Sequence, residues 1–390
     1  LLIAAALMSA SAMAGIVGSG TPSSCTEAAL QAQLAAGGTV TFNYGAGQQT
    51  IAMPNTMVFG QTNPKTIIDG NDTITLDGTG NTSGMIIIFG SSTALPDVTM
   101  RHLTIANGNI TTGLNAGGAI QNFGKLTLDT VTLRNSRADG SGAIFQEPCT
   151  GCLTPTLTAS HCTFQNNSNT AISVEGGIAT IADSTFTGNS SRLGSGIDIY
   201  SNSTFTVTMP VERCTFENNT SVFGGGAIAV ELLNTGSSVV IANDTFTGNT
   251  ATDPSSQGSA LYLGASPVTI SNCMIAGNTA PSGRGAIYFN TFTPVAVMNN
   301  AIIASNTGGT VRSLPAASSP AAIISSSAIR PAPESQLPIR SSPLSPTMAG
   351  PQERWPSVPA VRPLTPATAA SPPPPTSAAT SAPTATATAP

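Results

Sequence analysis

Charge is scarce in this 390-residue chain, with 13 Lys and Arg, 18 Asp and Glu, and 8% charged residues in all. Ordinary helical and α/β domains carry roughly 25%, so the composition excludes them. Lysine is nearly missing (Lys65 and Lys125), and the net charge is −5. A nucleic-acid partner is therefore not expected, because it needs a basic stripe. No apolar run reaches the roughly 18 to 20 residues of a membrane-spanning helix. Aromatic residues make up 5%, with one Trp.

Glycine and proline are plentiful, but not together. Residues 1–309 hold 38 of the 39 Gly and 11 of the 29 Pro. Residues 310–390 hold one Gly, 18 Pro, and no Asn, Asp or Cys. These are two kinds of polypeptide. The second is rich in Pro, Ala, Ser and Thr and cannot bury enough apolar surface to offset its ordering entropy, so a disordered tail is expected. Codons chosen for Leu344–Ala370 and read two bases downstream can spell LADNGGPTRTMALGAGSPAIDAG, a Gly- and Asp-rich string like the rest of the chain. The tail is therefore read as the product of a frameshift near residue 310, which resequencing the locus would test. At the other end, Leu1–Leu7 is apolar and Ala12-Met13-Ala14 fits a signal-peptidase site. Residues 1–14 read as the remnant of a secretory signal peptide, and the expected location is secreted or cell-surface.

Between these ends the sequence repeats. F-x-x-N recurs as Phe164/Asn167, Phe186/Asn189, Phe216/Asn219 and Phe246/Asn249, and continues as Ile275/Asn278 and Ile303/Asn306. From Ile105 the spacings are 28, 31, 22, 30, 30, 29 and 28 residues. A second signature, Gly-Gly-Ala-Ile, alternates with the first at 117–120 and 225–228, with variants ending at Ile144, Ile197, Leu261 and Ile287. Each period holds two short runs of alternating apolar and polar residues, the mark of half-buried strands. Short strands at this period, with no helix between them, predict a parallel β-solenoid; a propeller blade needs roughly 40 residues or more. One repeat position then forms a ladder with a step of about 4.8 Å. Phe164, Phe186, Phe216 and Phe246 should form an inner apolar spine. Asn167, Asn189, Asn219, Asn249, Asn278 and Asn306 should line one corner, where Asn tolerates left-handed backbone geometry.

The chain divides into residues 15–98, an N-terminal cap with the first coils, and 99–309, the repeat array. Ser24-Cys25-Thr26-Glu27 matches a capping box and predicts one helix over about 25–36, placed to cover the first coil. Strands are expected at Thr39–Phe42, Thr66–Ile68, Ile74–Leu76 and Met85–Phe89.

The two signatures together resemble the repeats of chlamydial polymorphic outer membrane proteins and of a wider set of bacterial right-handed parallel β-helix surface proteins. The match covers about residues 100–309, and CTEAALQAQLAAGGTVTFNYG at 25–45 is similar to the leader region of the wider set. The resemblance implies an all-β, right-handed parallel β-helix on a cell surface. Polymorphic outer membrane proteins end in a membrane-inserted β-barrel whose alternating strands and aromatic girdles have no match here, so membrane insertion by this chain is not expected. Their leaders often carry a second Cys where this chain has Tyr44, which leaves Cys25 without an obvious partner.

Candidate sites are few. Cys162, Cys214 and Cys273 share one repeat position on non-adjacent coils, too far apart for a disulfide. Cys149 and Cys152 are placed to close a small one. Only His161 is near enough to join them, so no metal site is expected, and no cofactor. Three residues before the spine run Thr130, His161, Asp183, Arg213, Asn243, Asn272 and Asn300. His161, Asp183 and Arg213 on successive coils could move a proton and hold an acidic sugar, as in β-helix polysaccharide lyases and hydrolases. The plainer reading is a polar corner. After the GGAI motif, Gln121, Phe145, Ser173, Asp198, Ala229, Tyr262 and Tyr288 should face outward. Phe145, Tyr262 and Tyr288 are the candidate ligand platform for glycans or surface proteins, against plain cross-coil packing. The Asp residues are scattered, and Asp69, Asp72 and Asp77 read as Asx turns. The sequence therefore favours a non-catalytic adhesion or ligand-binding scaffold over an enzyme.

Overall fold

A computed structural model describes residues 15–60, 65–111, 116–201, 204–231, 233–264, 267–289 and 296–313. The proposed signal segment and all but the first residues of the proposed tail lie outside them. The described chain is a parallel β-solenoid, with one α-helix and thirty-three strands among the described residues. Among the described residues the strands of the walls pair in parallel, one coil with the next.

Each coil of the array builds three walls. Wall one is represented by Thr156–Ser160, Gly177–Ala182 and Val207–Glu212. Wall two follows with Thr163–Gln165, Thr185–Thr187 and Thr215–Glu217. Wall three carries the Ile of the GGAI motif, in Ile144–Gln146, Ile172–Val174, Ile197–Ile199 and Ile228–Val230. Ten strands stack in wall three, from Met57–Phe59 to Val311–Ser313. The last of these pairs with Ile287–Phe289, so the sheet continues into the segment expected to be tail.

Alternation in the sequence sets the inside and outside of each wall. Wall two points Phe164, Phe186, Phe216 and Phe246 inward, all fully buried. They stack ring on ring at 4.6, 4.6 and 5.0 Å, nearly parallel. Outward it shows Thr132, Thr163, Thr185, Thr215 and Thr245 in register, β-branched residues suited to a pleated surface. The third motif position is Ala119, Ala143, Ala171, Ala227, Ala260 and Ala286, all buried, but Gly196 on one coil. A Cβ at Gly196 would sit 2.8 Å from the Phe216 ring and 2.9 Å from the Ala227 carbonyl. The spine and this glycine are thus fitted to each other.

The Asn ladder follows wall two. Each Asn of Asn167, Asn189, Asn219 and Asn249 gives its amide N–H and its Nδ2 to the Oδ1 of the next Asn, at 2.9–3.1 Å. Asn278 repeats this to Asn306. The second Nδ2 hydrogen goes to a carbonyl of the preceding coil, as from Asn219 to Phe186. Left-handed geometry, however, falls one residue earlier than expected, on Asn166, Gly188, Asn218, Gly248 and Gly277. The outward residue makes the turn, and the ladder Asn is turned inward to satisfy buried amides.

The helix runs Glu27–Leu34 and lies against Gly15–Val17 and Gly38–Phe42, burying Leu30 and Leu34. Its cap is Thr26, which accepts from the Ala29 amide at 3.2 Å. Ser24, expected as the cap, instead closes the preceding 3-10 turn and bonds Ser19 and Thr21. Cys25, Cys162, Cys214 and Cys273 are free and buried, and Cys149 is bonded to Cys152.

Candidate functional site

The row Thr130, His161, Asp183, Arg213, Asn243, Asn272, Asn300 stands in register, as its spacing predicts. All seven residues have φ between 51° and 62°. The row is the left-handed corner between walls one and two, which explains the preference for Asn. His161, Asp183 and Arg213 are exposed there. Arg213 holds Asp183 through two hydrogen bonds, 2.7 and 2.9 Å, and also reaches Glu212 at 2.9 Å. The guanidinium keeps the Asp183 carboxyl below the usual range. His161 faces Asp129 at 3.2 Å. The three residues therefore stand on adjacent coils, each already engaged locally: His161 with Asp129, and Asp183 and Arg213 with each other. Arg213→Ala should return Asp183 to ordinary carboxylate titration by NMR. It should barely move the unfolding midpoint, because exposed pairs stabilise little.

Asp69 and Asp77 make the expected Asx turns, accepting from the amides of Asn71 at 3.1 Å and Thr79 at 3.0 Å. Asp72 is itself left-handed and faces His102 at 3.3 Å.

The second row lies on the outer side of wall three, with Phe145, Ser173, Asp198, Ala229, Tyr262 and Tyr288 in one register. Tyr262 and Tyr288 stack at 5.4 Å on adjacent coils. The expected exposure is corrected. Phe145 is 0% and Tyr288 1% exposed, and Ser173 and Ala229 are also buried; Tyr262 is half-buried. Tyr288 is stacked against Tyr262, and beside Phe145 a second row, two residues further along, reaches back to the first. Glu147 hydrogen-bonds Gln121, and Tyr200 hydrogen-bonds Ser173, which brackets Phe145 on both sides.

That second row carries the chemistry that the sequence reading missed. Glu147, Glu175, Tyr200 and Glu231 stand on four successive coils, each giving its amide to the coil before at 2.8–3.2 Å. With Asp198 they place four carboxyl groups and a phenol along one wall, Glu175 nearly covered at 9% exposure and the others half-buried. The signal was available: each is the third residue after the motif Ile, at Ile144, Ile172, Ile197 and Ile228. Burial, reinforced by Glu175, pushes the Glu147 carboxyl up to about 7. Burial and the neighbouring Glu231 raise Asp198 well above the carboxylate range. Glu231 is also raised by burial, with Arg192 pulling against it. Asp198 Oδ1 is shut off from solvent and has no hydrogen-bond partner. A carboxyl with raised proton affinity can, when protonated, both donate to and accept from a hydroxyl group. Among the described residues no three His, Cys, Asp or Glu side chains are arranged to hold a metal ion.

Residues 213–231 match the Chlamydia polymorphic membrane protein repeat, a stretch from Arg213 through the GGAI motif to Glu231. No curated protein and no solved structure matches the chain.

Proposed function

We propose that this chain is an exported, surface-presented β-helix scaffold that binds extracellular glycans or surface proteins on wall three, without turnover. The observation that carries the reading is the face made by Glu147, Glu175, Asp198, Tyr200 and Glu231, continued along the axis by Tyr262. Protonated and charged carboxyls offer mixed donors and acceptors to sugar hydroxyls, and a half-buried ring offers a face to sugar C–H groups. The match to a membrane-protein repeat supports placement at a surface or outer membrane. A glycan array run beside a lyase and hydrolase screen tests the proposal. Binding without turnover, weakened at least tenfold in Glu175→Gln and in Tyr262→Ala, is the expected result. Unchanged binding in both variants would remove wall three from the account.

A second reading, a polysaccharide lyase or glycoside hydrolase, is favoured by one observation. Carboxyls with raised and unequal proton affinities stand side by side, as acid and base pairs require. Turnover abolished by Glu147→Gln or Asp198→Asn would establish it on wall three. Turnover abolished by His161→Ala would place it instead on the His161, Asp183, Arg213 corner.

A further inference from the structure

Five successive coils put Cys162, Ser184, Cys214, Asp244 and Cys273 at one inward position, two residues before the spine. Four of them use their side-chain hydrogen in the same way. Each gives it to the carbonyl two residues back: Cys162 to Ser160 at 3.2 Å, Ser184 to Ala182 at 2.7 Å, Cys214 to Glu212 at 3.3 Å, and Cys273 to Ser271 at 3.2 Å. Ser184 also accepts the amide of Cys162 from the coil before, at 3.1 Å. Asp244 repeats that second bond, its Oδ1 accepting from the Cys214 amide at 2.6 Å. Its other oxygen, Oδ2, is buried and has no partner, in a residue only 1% exposed.

A carboxylate has no hydrogen to give, so as an anion Asp244 breaks the pattern of its row. A carboxylic acid restores it. Buried oxygens without partners are rare, and a buried unpaired charge is costly. The groups that face Asp244 do not supply a counter-charge. The thiols of Cys214 and Cys273 lie on either side, each pushed up to about 12 by burial and so neutral. Glu212 and Arg213, on the coil before, carry opposite charges and are bonded to each other. We propose that Asp244 is a neutral carboxylic acid in the folded solenoid, giving its proton to the Ala242 carbonyl, so that a single proton fastens this coil and alkali releases it.

Burial is the main cause that lifts the Asp244 carboxyl from 3.8 to about 8, outweighing the backbone hydrogen bonds at Cys214 and Ala242 and the charge of Arg213, which pull it down. The unfolded chain loses this proton near the lower value and the folded chain near the higher. Between them the folded state binds one more proton, so stability is full below about 4 and falls as pH rises towards 8. The unfolding constant should grow about tenfold per pH unit across that window.

The test compares the full chain with Asp244→Asn and Asp244→Ser by urea unfolding from pH 5 to pH 9. Asn can accept from the Cys214 amide and donate to Ala242 without titrating, and Ser copies Ser184. The ratio of unfolding constants, wild type over variant, should widen about tenfold per unit up to pH 8 and then level off. A second readout is the infrared carbonyl band of a protonated carboxyl at pH 7, which the wild-type minus variant difference should contain. Parallel pH profiles, or a difference spectrum with only a carboxylate band, would overturn the proposal. Should Asp244→Asn fail to fold, Asp244→Ser carries both measurements.

Discussion

Asn219→Ala is expected to destabilise the solenoid by about 4 kcal/mol, far more than an exposed Asn would. The side chain joins three coils. Its Oδ1 accepts both the amide and the Nδ2 of Asn189, at 3.0 and 2.9 Å. Its Nδ2 gives one hydrogen to Asn249 at 3.0 Å and the other to Phe186 at 2.9 Å. Removal strands two donors of Asn189 in a corner where both Asn residues are fully buried. A stranded buried group costs about 1–3 kcal/mol, and a bonded chain loses more than its separate pairs. Urea unfolding of the single variant measures the loss. A change under about 1 kcal/mol, the scale of one ordinary hydrogen bond, would mean that water repairs the gap. Asn219→Asp makes a sharper comparison, because it keeps the acceptor but removes the donors.

Phe216→Ala should cost about 5 kcal/mol. A buried Phe cut to Ala loses about 3–5 kcal/mol, and this ring also stacks on two neighbours, at 4.6 Å on Phe186 and 5.0 Å on Phe246. Collapse around the gap is restrained, because the backbone ladder holds each coil at a set height. Phe216→Ile should lose roughly a third as much, since a similar-sized apolar residue is tolerated best. Ile275 and Ile303 already fill this place two and three coils away. Thermal unfolding of the three proteins gives the order wild type, Ile, Ala; equal midpoints for Ala and Ile would show that the stack itself is what matters.

The parts of this fold that a sequence displays are those repeated at a fixed spacing. The spine, the Asn ladder and the corner row were legible because each places one residue type, or a narrow class, at one position in coil after coil. The left-handed turn expected at Asn167 and Asn189 sits at Asn166 and Gly188, because a turn and a ladder are one residue apart and Asn suits both. The capping box points to Ser24 because Glu27 stands three residues on; Thr26, with Ala29 at that place, lacks the box yet caps the helix, because Ser24 is taken up by the 3-10 turn before it. The wall-three face was harder. Phe145 alternates outward as expected, but exposure depends on what lies beside a residue, and Tyr200 and Glu147 belong to a neighbouring row. Glu147, Glu175, Asp198 and Glu231 do not look like a cluster along the chain, since about one coil of sequence separates each from the next. Only stacking brings them together.

The Asn ladder also shows what the solenoid does not measure. Successive ladder residues are 22, 30, 30, 29 and 28 positions apart, yet their bonds keep the same length. The step between coils is set by the backbone, and the arc joining one wall to the next can be long or short without disturbing it. A foreign peptide spliced into such an arc would therefore hang outside an unchanged frame. Several of them, one per coil, would be displayed at intervals of about 4.8 Å, which makes the chain a ruler on which epitopes can be mounted at chosen marks.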